Sequence, residues 1–244
     1  MGNQKINNIY QEMCLAKSNK QRLIAILIDP DDVDVESLNK LIPQIINSPA
    51  THILVGGSLV ESNHIDEIIL GLKSKLKLPI LLFPGHPSQI SIHADGILFL
   101  SLLSGRNPDY LAEHQVNAVP YLSKSNLEII PTAYLLIESG AETAVERISK
   151  TRPLDRNNTN YVAQTALAGQ YLGHQLVYLE AGSGAELAVP LTMIKKVSKA
   201  IAIPLIVGGG IRTQKGIDEA FEAGADLVVI GTAFENDPHF FEYD

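Results

Sequence analysis

The 244-residue chain carries 19 Lys and Arg against 27 Asp and Glu, a formal net charge of −8, so it lacks the basic surface that nucleic-acid binding requires. Hydrophobic residues make up 45% and charged residues 19%, without a low-complexity run or an apolar stretch of the roughly 18 residues that span a bilayer, which excludes a disordered chain and a membrane span. Cys14 is the sole cysteine, which rules out an internal disulfide or a cysteine metal site, and with a polar start lacking a signal-peptide core it points to a reducing cytoplasm.

The predicted elements alternate strand and helix from end to end. An amphipathic helix over 3–18, with Ile6, Ile9, Tyr10 and Met13 on one face, leads the chain and is expected to cover a barrel bottom. Eight apolar runs follow, at 23–28, 52–55, 80–83, 96–103, 129–137, 175–179, 205–207 and 227–230. Most are continuous rather than alternating, as parallel strands buried on both faces should be. Helical patterns at 35–46, 62–76, 108–113, 160–172 and 190–200 lie between them, and another runs from an N-cap at Thr213 to a C-cap at Gly224. Eight such units in one chain of this length predict a single (β/α)8 TIM barrel over residues 1–244.

Two connections break the pattern. Residues 84–95 between strands 3 and 4, with Pro84 and Pro87, are too few for a regular crossover helix. A reduced or missing third outer helix would leave an apolar flank for an elongated ligand; a short irregular crossover without that role is the alternative. The link at 138–160 carries Arg147, Lys150, Arg152 and Arg156, and can serve as a lid over an anion, as a solvated loop or as a subunit contact. Only a short eighth helix fits after Phe234.

Candidate chemistry collects where strands should end. Asp29 follows strand 1 in LIDPDDVD, where a carboxylate can hold a divalent cation; Asp32 and Asp34 are read as caps of the next helix. Gly56, Gly57 and Ser58 follow strand 2, and Ser58 can add an oxygen to the same site or cap a helix. Glu180 follows strand 6 in YLEAGSGAE, where it can act as a general base, orient a hydroxyl as an acceptor or form a rim salt bridge, with Tyr178 on the same face by strand alternation. Gly208, Gly209 and Gly210 after strand 7, and Gly231 with Thr232 after strand 8, can either form turns or present amides to a phosphate. The seven histidines show no metal-ligand spacing and are read mostly as surface residues; no GxGxxG and no hydrolytic triad is present.

With LIDPD, HILVGGS, PILLFPG, SLLSGRNP, YLEAGSGA, IVGGGIRT and VVIGTAF laid out, the chain resembles the geranylgeranylglyceryl phosphate synthase family, which includes heptaprenylglyceryl phosphate synthases. The resemblance covers nearly the whole chain. It implies Mg²⁺-dependent transfer of a prenyl group, C20 by expectation, from a polyprenyl diphosphate to sn-glycerol 1-phosphate, giving an ether-lipid precursor. By matched motifs, Asp29 and Ser58 would ligate Mg²⁺, and Tyr178, Leu179, Glu180, Ala181, Gly182, Ser183 and Gly184 would contact the glycerol phosphate. Gly209, Gly210, Gly231 and Thr232 would hold its phosphate, and the tail would lie along the flank lacking a regular third helix. Leu27 stands where one branch of the family carries Lys, which implies the other branch, often found as larger oligomers. A homo-oligomer is therefore expected, with transient membrane contact on product release. A phosphosugar isomerase or lyase, or a non-catalytic phosphate-binding barrel, remains an alternative on the residues alone.

Overall fold

The structure, a computed structural model, describes residues 8–58, 64–237 and 240–241. Eight parallel strands close into a barrel in sequence order: β1 (Leu23–Ile28), β2 (His52–Val55), β3 (Ile80–Leu82), β4 (Gly96–Leu102), β5 (Glu128–Leu136), β6 (Leu176–Glu180), β7 (Leu205–Gly208) and β8 (Leu227–Ile230). The helices are α1 (Ile9–Asn19), α2 (Val35–Asn47), α3 (Ile65–Lys75), α4 (His114–Leu122), α5 (Ala144–Ser149), α6 (Thr159–Tyr171), α7 (Leu191–Ala200), α8 (Gln214–Ala223) and α9 (Thr232–Asn236). Ile6 and Ser62, assigned to helices from the sequence, lie outside the described residues, as does His239.

Alternation along each strand sorts the apolar residues into two layers. Ala25, Leu54, Leu81, Leu98, Ile130 and Tyr178 fill the barrel interior, while Ile26, Ile53, Leu82 and Val177 pack outward against the helices. Ile9, Met13 and Ala16 of α1 join the interior layer, so the leading helix plugs the bottom as expected. Its N-terminal amides are satisfied from afar: the Glu128 carboxylate accepts from Ile9 N at 2.7 Å and from Tyr10 N at 2.9 Å. Asp34 caps α2 through a reciprocal pair with Ser37, and Thr213 and Gly224 cap α8. Asp32 does not cap α2, because the chain is still turning there, with its N–H donated to Asp29 O.

The link after β3 holds only a 3₁₀ turn, Pro87–Gln89, so the third outer helix is indeed missing. Strand lengths deepen the gap. β3 pairs with β4 at two positions, Leu81↔Gly96 and Leu82↔Ile97, whereas β4 pairs with β5 at seven, from Gly96↔Glu128 to Leu102↔Tyr134. The β4 edge beyond Ile97 therefore has no strand on its β3 side. Gln115 Nε2 donates to Leu100 O, capping one carbonyl of that open edge.

Several sequence expectations need correction. Strands 6 and 7 reach one residue further, so Glu180 and Gly208 belong to them. The segment from 108 does not stop at Glu113: a π-helical turn, Asp109–Glu113, runs on into α4, whose Ala118 and Leu122 are buried at i, i+4 despite Pro120. The 138–160 link is not a free loop, since it contains α5 and a parallel bridge, Ile137↔Leu154. Arg147 lies 3.9 Å from Glu142 within the link, and Arg156 donates to Glu138 O and to Ala188 O, tying the link to the loop after β6.

His52 is not a surface residue. It is 4% exposed inside the barrel, where burial pushes its pKa down to about 4. A depressed imidazole pKa favours the neutral form of the folded protein. Its contribution, up to about 3 kcal/mol, is complete above pH 6.5 and is lost as pH falls toward 4. Urea unfolding of His52→Leu should accordingly show a shallower acid loss of stability than the parent over that interval; parallel curves would contradict the assignment.

Candidate functional site

Every candidate from the sequence lies at the C-terminal ends of the strands, the rim on which (β/α)8 barrels build their sites. Two groups of residues form there, and an apolar cleft opens beside them.

The first group spans β1, β2 and β8. The Asp29 carboxylate lies so close over Gly57 that a Cβ at Gly57 would fall 2.9 Å from its Cγ, which places it beside the residue that precedes Ser58. Burial pushes the Asp29 pKa up to about 6; an N–H from Asp31 opposes this, and the charges of Asp32 and Asp31 add to it. Glu235 of α9 is the acidic neighbour that sequence reasoning missed. Burial and the charge of Asp32 push it up to about 7, although it accepts a hydrogen bond from the Asp29 backbone. Its only sequence signal is an acid in the first turn after the last strand. Asp29 and Glu235, both partly buried and both raised by the charge of Asp32, form an acidic site that a cation would relieve. Asp29 and Ser58 offer hard oxygen donors of the kind Mg²⁺ takes when most of its shell comes from water and phosphate. Among the described residues, no cluster of three or more His, Cys, Asp or Glu could enclose a metal by itself. Ser58 is not the cap of α3, which begins after His64.

The second group spans β6 and β7. Glu180 ends β6 opposite Gly208 and is 5% exposed; its Oε1 accepts from Gly182 N at 2.6 Å. Burial raises its pKa above the usual carboxylate range, against the opposing effects of Tyr178 and the loop amides. The Tyr178 hydroxyl, also buried, lies against the same carboxylate without the alignment of a full hydrogen bond. A Cβ at Gly208 would stand 2.5 Å from that hydroxyl and 2.8 Å from Glu180 Oε2. Gly209, at φ +79°, is equally confined, since its missing Cβ would lie 2.6 Å from Gly182 N. Gly182, Gly184 and Gly210 also take positive φ. Gly231 does not, and a Cβ there would meet only Leu27 at 3.6 Å, so that corner of the rim is roomy. Ser183, Gly184 and Thr232 are exposed. Leu179 and Ala181 depart from the expected role: both side chains pack in the outer layer, and the Ala181 amide is engaged by Gly208 O.

Next to the first group opens a cleft of about 800 Å³ of empty space, counting its mouth, separated from Glu180 by Phe83 and Tyr134, whose rings pack on Tyr178. It touches Gly57 and Ser58 at the rim, passes Phe83 and Tyr134, and reaches Gln115 and Ala118 of α4 through the gap beside β3. Leu98 and Leu100, interior residues of the unpaired β4 edge, contribute to its wall. Tyr134 escaped sequence reasoning, since nothing in an apolar run marks which residues face a cleft.

The model of the PcrB family matches residues 17–243. The chain belongs to the PcrB family. Among curated relatives, the geranylgeranylglyceryl phosphate synthase of Flavobacterium johnsoniae is 60% identical over 97% of this chain and 98% of its own. That of Pyrococcus furiosus is 46% identical over 90% and 87%. In structure, the PcrB fold described here superposes on (S)-3-O-geranylgeranylglyceryl phosphate synthase from Thermoplasma acidophilum, solved in complex with sn-glycerol-1-phosphate, with a TM-score of 0.90 and 35% identity. That alignment covers 96% of this chain and 94% of the other.

The crowding at β7 generates a prediction. Gly209→Ala forces a side chain into positive φ and against the Glu180 loop, and should destabilise the protein by about 1–3 kcal/mol. Gly231→Ala, in open space, should be nearly neutral. Equal denaturation midpoints for the two variants would refute the stated geometry.

Proposed function

We propose that this PcrB-family chain joins a polyprenyl diphosphate, in the first instance geranylgeranyl diphosphate, to the C3 hydroxyl of sn-glycerol 1-phosphate, forming an ether-linked lipid precursor. The observation that carries the reading is the apolar cleft entering, through the gap at β3, the same rim that holds Glu180 and the glycine loops. A phosphosugar enzyme needs no such groove. The relatives' names and the glycerol-phosphate complex of the Thermoplasma enzyme support the same substrates.

Asp29 and Ser58 would hold Mg²⁺, which when bound supplies the positive charge that stabilises the departing diphosphate. The glycines after β7 and β8 let backbone approach the acceptor's phosphate; Leu27 beside Gly231 contributes no charge, so amides carry that task. Glu180 accepts the proton of the attacking hydroxyl. Its raised pKa makes it a stronger base than an exposed carboxylate, and the hydrogen bond from Gly182 N fixes its orientation. The buried floor keeps water from the reacting centre.

Exposed Val116 and Val119 on α4, with Tyr171 on α6, support a homo-oligomer, and the lone Cys14 is consistent with a reducing cytoplasm. No helix among the described residues is long and apolar enough to cross a membrane.

Incubation with Mg²⁺, sn-glycerol 1-phosphate and labelled C15, C20 and C35 prenyl diphosphates should yield an ether product, most with C20. Absence of product with every donor would overturn the reading. Glu180→Gln should lower kcat by about 10²–10⁴-fold with the glycerol phosphate KM little changed; equal loss in both would argue against a base. For Asp29→Asn, the Mg²⁺ concentration giving half-maximal rate should rise, and an unaltered metal titration would remove Asp29 from the metal site.

A further inference from the structure

Three aromatic rings stand between the cleft and Glu180. Phe83, directly after β3, stacks on Tyr178 with centroids 5.3 Å apart and planes 26° apart, and leans on Tyr134 at 5.8 Å. Tyr134 and Tyr178 are register partners on β5 and β6 and meet edge to face at 5.4 Å. The three form a closed triangle, with Tyr178 fully buried behind it and Phe83 and Tyr134 on the cleft wall. The Glu180 charge reaches both phenols and adds to burial in raising their pKa, which confirms that the triangle lies within its field.

Resting on the reaction proposed above, the position of the reacting carbon follows. The diphosphate is held near Ser58, the apolar tail fills the cleft, and the acceptor hydroxyl lies at Glu180. C1 of the allylic unit is attached to the first two and attacked by the third. It must therefore sit where the three regions converge, against Phe83 and Tyr134.

The geometry points to Tyr134, backed by Phe83 and Tyr178, as a catalytic residue whose ring face stabilises the positive charge that develops on C1. As the C1–O bond breaks, its electron pair leaves with the diphosphate and the allylic fragment becomes electron-poor. The glycerol oxygen then bonds to C1 and its proton passes to Glu180. A π face carries negative electrostatic potential and attracts such a cation most strongly in a desolvated site. Neither tyrosine acts as an acid here. Burial and Glu180 hold both phenols protonated, which leaves the ring face as the functional element.

The test varies the ring's electrons while keeping its shape. Tyr134→Phe should retain at least about half the parent rate, because a bare phenyl keeps the attractive face. Replacing that phenylalanine in turn by its 4-fluoro, 3,4-difluoro and 3,4,5-trifluoro analogues should lower kcat stepwise, by roughly tenfold across the series. The KM for each substrate should move less than about twofold, since the effect belongs to the transition state. A flat kcat series, a change confined to KM, or loss of turnover in Tyr134→Phe itself would overturn the assignment. The parent protein run beside it reports separately on the transfer reaction: product from the parent with a flat series sinks only the ring's role, and no product from the parent sinks both.

Discussion

The early end of β3 is the constraint on which the rest of the site depends. A closed parallel barrel normally gives each strand two neighbours along its length, but Pro84 turns the chain away after Leu82 while β4 continues to Leu102. The unpaired stretch of β4 would leave carbonyls and apolar side chains exposed to water. Gln115 satisfies one of those carbonyls, and α4 closes over part of the flank through Ala118. What remains is a channel from the outer surface into the mouth of the barrel, obtained without opening the ring of strands below. The missing third helix and the short third strand are thus two aspects of one device.

Electrostatics divides the rim in the same way. Near β1, Asp29, Asp32 and Glu235 concentrate negative charge that is only partly balanced by local N–H groups. Across the mouth, Glu180 is a single carboxylate shielded from water and held by its own loop. The first arrangement suits a cation that carries phosphate, the second a proton acceptor that meets a neutral hydroxyl. Had both carboxylate groups been exposed, solvent would have levelled their pKa values and erased the difference.

Much of this was legible in the sequence. Continuous apolar runs announced strands buried on both faces, and the link from Phe83 to Gly96, short and broken by Pro84 and Pro87, pointed to a reduced crossover. Asp29, Glu180 and the glycines were found because an abrupt polar or flexible residue after an apolar run marks a strand end. The same logic could not find Tyr134, which lies inside a run of apolar neighbours where inward and outward positions read alike. Glu235 was hidden because its importance comes from β1, more than two hundred residues earlier. α4 lay beyond the helical pattern read at 108–113, and its Pro120 falls in the last turn, where a proline can be tolerated when packing compensates. Leu179 and Ala181 were included because they share a motif with Glu180, and alternation alone turns them away from the mouth.

The tie between α1 and Glu128 bears on how the molecule comes to be folded. The leading helix precedes every strand of the barrel in the chain, yet its first amide finds its acceptor 119 residues downstream, at the start of β5. Until half the chain has been synthesised, α1 has neither that carboxylate nor the later strands whose Leu176 and Leu227 complete its apolar seat. Its docking is a long-range event that follows the local βα units, and contacts of that separation are the slow ones in folding. The base of the barrel is accordingly sealed late, by a helix made before any of the strands it seals.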